Sequence, residues 1–67
     1  MEILLNGEPR HFDSHRLSIV ALLEAEGLGP RRVAVEVNGE IVPRGRHADH
    51  ELQPGDRVEI VHALGGG

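Results

Sequence analysis

Residues 32–42 read Arg-Val-Ala-Val-Glu-Val-Asn-Gly-Glu-Ile-Val, and this stretch constrains the chain more than any other. Apolar and other side chains alternate with period two on either side of Asn38-Gly39, the dipeptide that most strongly marks a two-residue β-hairpin. In such a hairpin Val37 faces Glu40, Glu36 faces Ile41 and Val35 faces Val42. One surface of the ribbon is then aliphatic. A lone hairpin is marginal in water, so that surface must be covered by something else in the chain.

The other segments supply the cover. Glu2-Ile3-Leu4-Leu5, the turn pair Asn6-Gly7 and a run containing Pro9, Arg10, His11 and Phe12 read as a second hairpin. Ser18 is a good N-cap for a helix in which Ile19, Leu22 and Leu23 share a face, with Leu17 and Leu22 spaced as a hydrophobic staple. Gly27, Gly29 and Pro30 predict its end near Glu26. After Pro43 the polar segment Arg44 to Glu51 reads as a loop, Pro54-Gly55-Asp56 as a turn and Arg57 to Val61 as a last strand. The order β-β-α-β-β-β, with the first and last strands parallel in the middle, predicts an α+β fold. A mixed five-stranded sheet would carry one main helix on one face. The expected core is Ile3, Leu5, Leu22, Leu23, Val35, Val37, Val58 and Ile60.

At 67 residues the chain can build one core and no second. It has no cysteine and its seven basic residues are all arginine, which removes thiol chemistry, Schiff-base lysines and self-linkage through lysine. A formal charge of −4 disfavours nucleic acid and favours a basic partner surface. No apolar stretch is long enough for a membrane span and Met1-Glu2 does not open a signal region, so the expected location is the cytoplasm. His11 with His15, and His47 with His50, have spacings that could converge on a metal. In their polar setting they read as surface histidines, solvated or hydrogen-bonded, with no metal site. No Ser, Cys or Lys stands beside Asp49, His50 and Glu51, so catalysis within the chain is not expected.

The end, Leu64-Gly65-Gly66-Gly67, follows the last strand almost directly. The division expected is a folded domain over 1–63 and a flexible glycine tail over 64–67. Glycine has no Cβ, so Gly65 and Gly66 could thread a channel closed to other residues and present the carboxylate of Gly67 to a partner enzyme. A carboxylate resists nucleophiles and needs activation, most simply as an acyl-adenylate.

With these residues in view, the chain resembles the ThiS family, small ubiquitin-like sulfur carriers of thiamine biosynthesis. The resemblance rests on length, on Val35-Glu36-Val37-Asn38-Gly39-Glu40-Ile41-Val42-Pro43-Arg44, on Leu52 to Ile60 with Pro54-Gly55-Asp56-Arg57-Val58, and on the terminal glycines. It implies a β-grasp fold and no bound cofactor. It also implies that Gly67 is adenylated with ATP by a ubiquitin-activating-like adenylyltransferase, converted to a thiocarboxylate by a cysteine desulfurase relay, and gives its sulfur to thiazole synthase. His47 stands where relatives carry an aromatic residue, and the tail has three glycines where the motif needs two. The small subunit of molybdopterin synthase, a ubiquitin-like protein tag and a plain β-grasp interaction module are the alternatives. For docking, strand parity sends Leu4, Ala34, Ile41 and Val61 to the face away from the helix, an exposed apolar band with Leu64 leading to the glycines. Glu36 and Glu59 are its charged part.

Overall fold

The structure is a computed structural model, described over residues 1–62; the predictions for Leu64, Gly65, Gly66 and Gly67 lie outside the described residues. Strands β1 (Glu2–Leu5) and β2 (Glu8–His11) are antiparallel and joined through Asn6-Gly7. Helix α1 (Ile19–Ala25) follows, then β3 (Val33–Val37), β4 (Glu40–Val42), a 3₁₀ turn at Arg44–Arg46 and β5 (Arg57–His62). The sheet order is β2-β1-β5-β3-β4. The last strand is therefore central, parallel to β1 and antiparallel to β3. This is the mixed five-stranded sheet with one helix that the sequence predicts.

Both Asn-Gly pairs adopt the conformation their residues favour. Asn6 and Gly7 have φ of 50° and 84°, Asn38 and Gly39 of 53° and 88°, as the mirror-image turns of tight hairpins require. Each asparagine side chain also reaches the central strand. Asn6 Oδ1 accepts from the Ile60 amide at 2.8 Å, and Asn38 Oδ1 accepts from the Arg57 amide at 2.9 Å. Asn38 Nδ2 donates to Asp56 Oδ1 at 3.0 Å, while Asp56 Oδ2 accepts from the Gln53 amide and closes the Gln53–Asp56 turn.

The helix is capped at both ends. Ser18 Oγ accepts from the Ala21 amide at 3.0 Å. The two preceding amides are taken by the loop after β4: Ile19 donates to the His50 carbonyl and Val20 to the His47 carbonyl. All three otherwise unsatisfied donors of the first turn are thus paired. At the other end Gly27 has a φ of 76°, Leu28 donates to the Leu23 carbonyl and Gly27 to the Glu24 carbonyl, which is a complete Schellman motif.

The core gathers Ile3, Leu5, Leu22, Leu23, Val35, Val37 and Val58 as predicted, with Ile60 only partly buried at its margin. It also takes in Leu17, Ile19, Val42 and Leu52. Leu52 is drawn in because its amide donates to the Leu17 carbonyl, pinning the long loop under the helix start. The loop is further held by Arg16, whose guanidinium hydrogen-bonds Glu51 and keeps that exposed carboxyl below its ordinary pKa.

His47 departs from the sequence reading, being buried instead of a surface histidine. The reason is the loop's attachment to the helix. Delivering its carbonyl to Val20 turns the His47 ring inward, where Nε2 lies 3.0 Å from the Val42 carbonyl and donates to it.

Two stability measurements follow. Leu23→Ala, which empties a core site, is expected to cost about 2–5 kcal/mol in urea denaturation. His47→Ala is expected to cost about 1–3 kcal/mol, since it removes both ring packing and the bond to Val42. A surface histidine would show a change within about 0.5 kcal/mol.

Candidate functional site

The helix covers one face of the sheet and leaves the other to solvent. Because side chains alternate along each strand, burial of Ile3, Leu5, Val35, Val37 and Val58 sends their neighbours outward. Ile41 is 62% exposed, Val61 58% and Leu4 37%; Ala34 is half-buried. These are the four apolar residues expected on the outer face. Leu64 and the three glycines of the tail lie outside the described residues.

Strand register fixes how the face is laid out. Ala34 lies opposite Val61, and Glu36 lies between Ile41 on β4 and Glu59 on β5. On the far side of β5, Leu4 is level with Arg57. The aliphatic side chains therefore do not form an unbroken band. Ala34 and Val61 make one apolar patch, while Ile41 and Leu4 stand on either side of the paired carboxylates. Charge occupies the middle of the face, not its rim.

Arg57 belongs to this face as well, and a shallow depression of about 180 Å³ is lined by Glu36, Gly39, Arg57 and Glu59. Its two-residue spacing from Glu59 was the signal that would have included it. Val20, 37% exposed, is the other large exposed aliphatic and sits on the helix, away from this face. On that helix side a smaller hollow of about 100 Å³ opens between Val20, Leu23, Arg31, Arg44 and His47.

The histidine pairs do not assemble a metal centre: among the described residues no group of three or more His, Asp or Glu side chains is placed to hold an ion. His11 is exposed beside Asp13, with Nε2 3.3 Å from the carboxylate.

The sequence model of the ThiS family matches residues 3–67, nearly the whole chain. The chain belongs to the ThiS family. It is 38% identical over 63 residues to the sulfur carrier protein ThiS of Bacillus subtilis, covering 94% of this chain and 96% of that one. The fold agrees closely with the crystal structure of a thiamine biosynthesis protein, ThiS, from Geobacter metallireducens: TM-score 0.88 and 33% identity, with both chains fully covered. This establishes the β-grasp architecture expected of a ThiS protein. A thiazole synthase of Paramagnetospirillum magneticum is 45% identical across all 67 residues. This chain spans 20% of the length of that larger relative. A ThiS-like sequence thus occurs both as a protein of about this size and as part of a thiazole synthase.

The outer-face assignment has a direct structural test. Ile41→Asp and Val61→Asp, each at a largely exposed position, are expected to fold and to lose no more than about 1 kcal/mol, the span of strand propensities. Loss of the cooperative unfolding transition in either variant would place that side chain in the core.

Proposed function

We propose that the chain carries sulfur for the thiazole of thiamine, with the carboxylate of Gly67 as its working group. The observation that carries the reading is the family match, which runs through the last glycine. The chain is a co-substrate in this reading and its partners are the enzymes. The reactions belong to the cytoplasm.

The chemistry follows from the carboxylate. Resonance makes it a poor electrophile, so one oxygen first attacks the α-phosphorus of ATP on the adenylyltransferase and pyrophosphate leaves. The terminal sulfur of a persulfide on the cysteine desulfurase relay attacks the acyl-adenylate and AMP departs with the bonding electrons. A thiol of the relay then cleaves the resulting acyl disulfide, being oxidised to a disulfide as the carrier's sulfur is released. The product is a terminal thiocarboxylate, whose soft sulfur is the nucleophile presented to thiazole synthase. No cofactor is held by the carrier itself; ATP is consumed on the partner. The larger relative that is itself a thiazole synthase supports that enzyme as the acceptor, since a segment similar to this whole chain forms part of it.

Docking would use the outer face. Ile41, Val61, Leu4 and Ala34 supply exposed apolar area, and β5, which contributes Glu59 and Val61, is the strand that precedes the tail. Exposed aliphatics held on a rigid sheet lose little conformational freedom on association, which favours them as anchors. Glu36 and Glu59 add charge complementarity to a basic surface and would act mainly on association rate.

The intact mass of the chain isolated from thiamine-producing cells tests the reading. A population in which one oxygen is replaced by sulfur is expected, with the change mapped to Gly67 by fragmentation. Gly66→Val is expected to abolish adenylate formation in a purified reaction with ATP and the adenylyltransferase, at an unchanged melting temperature. An adenylate found on an Asp or Glu side chain would refute the assignment of Gly67.

A further inference from the structure

At the centre of the outer face Glu36 and Glu59 lie directly opposite one another on β3 and β5. The Ile60 amide points away from β3, to Asn6 Oδ1, so the backbone groups of its neighbours Glu59 and Val61 point toward β3. Glu36 and Glu59 are consequently a hydrogen-bonded pair of the ladder, with Cα atoms about 5.5 Å apart and both side chains rising on the same face. Like charges in this position destabilise a sheet. Arg57 is the nearest basic residue on the face, two positions before Glu59, and among the described residues the ion pairs are made elsewhere, by Arg10, His11 and Arg16. Neither carboxylate is engaged in an ion pair among the described residues, and Arg57, which lines the same depression, is the one basic side chain beside them there. The carboxylates are also ringed by exposed aliphatic side chains: Ile41 on one side, Leu4 on the other and Ala34 with Val61 beyond.

This combination has a definite consequence for association. Covering Ile41 and Val61 with an apolar surface strips water from the carboxylates between them. Two adjacent anions then repel more strongly, and their desolvation opposes binding unless a cation arrives with the partner. Charge complementarity selects the occupant. A guanidinium is planar, always charged and presents several donors in a fixed fork, so a single arginine can hydrogen-bond both carboxylates at once.

We propose that Glu36 and Glu59 form one seat for an arginine carried on an apolar surface of a protein partner, and that the pair excludes apolar surfaces lacking such a cation. The inference rests on the outer face being the docking face. Within that reading the glutamates act as a selectivity element: they cost the free domain stability, and only a partner that neutralises them recovers it.

The experiment measures binding of the full chain to the adenylyltransferase and to the thiazole synthase of the same cells, alongside melting temperature. Variants are Glu36→Gln, Glu59→Gln, the double variant and Ile41→Asp. Each Gln variant is expected to melt about 2–4 °C higher, because cross-strand repulsion is relieved. Each should nonetheless bind at least one partner roughly tenfold more weakly, in keeping with loss of a charged contact. The double variant should lose less than the product of the single effects, since one guanidinium is shared, and its binding should depend less on salt. Wild-type affinity for both partners in the Gln variants, with binding lost in Ile41→Asp, would overturn the seat and leave the docking face standing. Weaker binding accompanied by a lower melting temperature would also overturn it, by giving the glutamates a structural role. Undiminished binding of Ile41→Asp, or no binding by the wild type, would remove the docking face and the seat with it.

Discussion

Arg57–His62 is held from both flanks at once. β3 pairs with it from Val58 to His62 and β1 with its first two residues, and where those ladders end the side chains of Asn6 and Asn38 take up the amides of Ile60 and Arg57. These two asparagines are turn residues first, tolerating positive φ in their hairpins, and register clamps second. The second role matters because the alternation along β5 gives the domain both of its surfaces. Val58 faces the core, and Glu59 and Val61 face outward. A slip of one residue would exchange the two sets, putting a carboxylate under the helix and Val58 in water. The composition of the outer face is therefore as firmly determined as the core, by the same hydrogen bonds.

The helix depends on a different long-range contact. Seven residues make a short helix, too short to persist alone, and its exposed amides need partners. The loop following β4 provides two of them through the carbonyls of His47 and His50, while Leu52 enters the core beneath Leu17. The loop and the helix start are thus one unit, with the 3₁₀ turn setting the spacing. The buried imidazole of His47 ties that unit back to β4 through the Val42 carbonyl.

What could be read from the sequence had local signals. Both Asn-Gly turns, the Ser18 cap, the Gly27 stop and the alternation of residues 33–37 are decided within a few residues of chain, and each took the form expected. The parity of Ile41 followed from the Asn38-Gly39 turn, because a two-residue hairpin leaves no freedom in register, and that of Leu4 and Val61 from alternation with Ile3, Leu5 and Ile60. His47 and Leu52 could not be placed in the same way. They lie in a segment with no hydrophobic period, and their burial is decided by hydrogen bonds to a helix some thirty residues earlier in the chain. The central position of Glu36 and Glu59 was half legible: parity gave their face, but only the lateral order of the strands shows that Ile41 and Leu4 lie on opposite sides of them. The glycine tail is the reverse case, prominent in the sequence and outside the described residues.

Placing the last strand at the centre of the sheet also orders events during synthesis. Without Arg57–His62 the sheet falls into two hairpins, each marginal by itself and with no neighbour on its inner edge. β1 waits about fifty residues for its parallel partner, a long closure that local contacts cannot replace. When β5 arrives it brings Glu59 and Val61 with it, so the outer face is completed in the same step that joins the halves. A partner that recognises this face cannot engage a nascent or truncated chain lacking that strand, and assembly of the surface itself certifies that the chain has been made through His62.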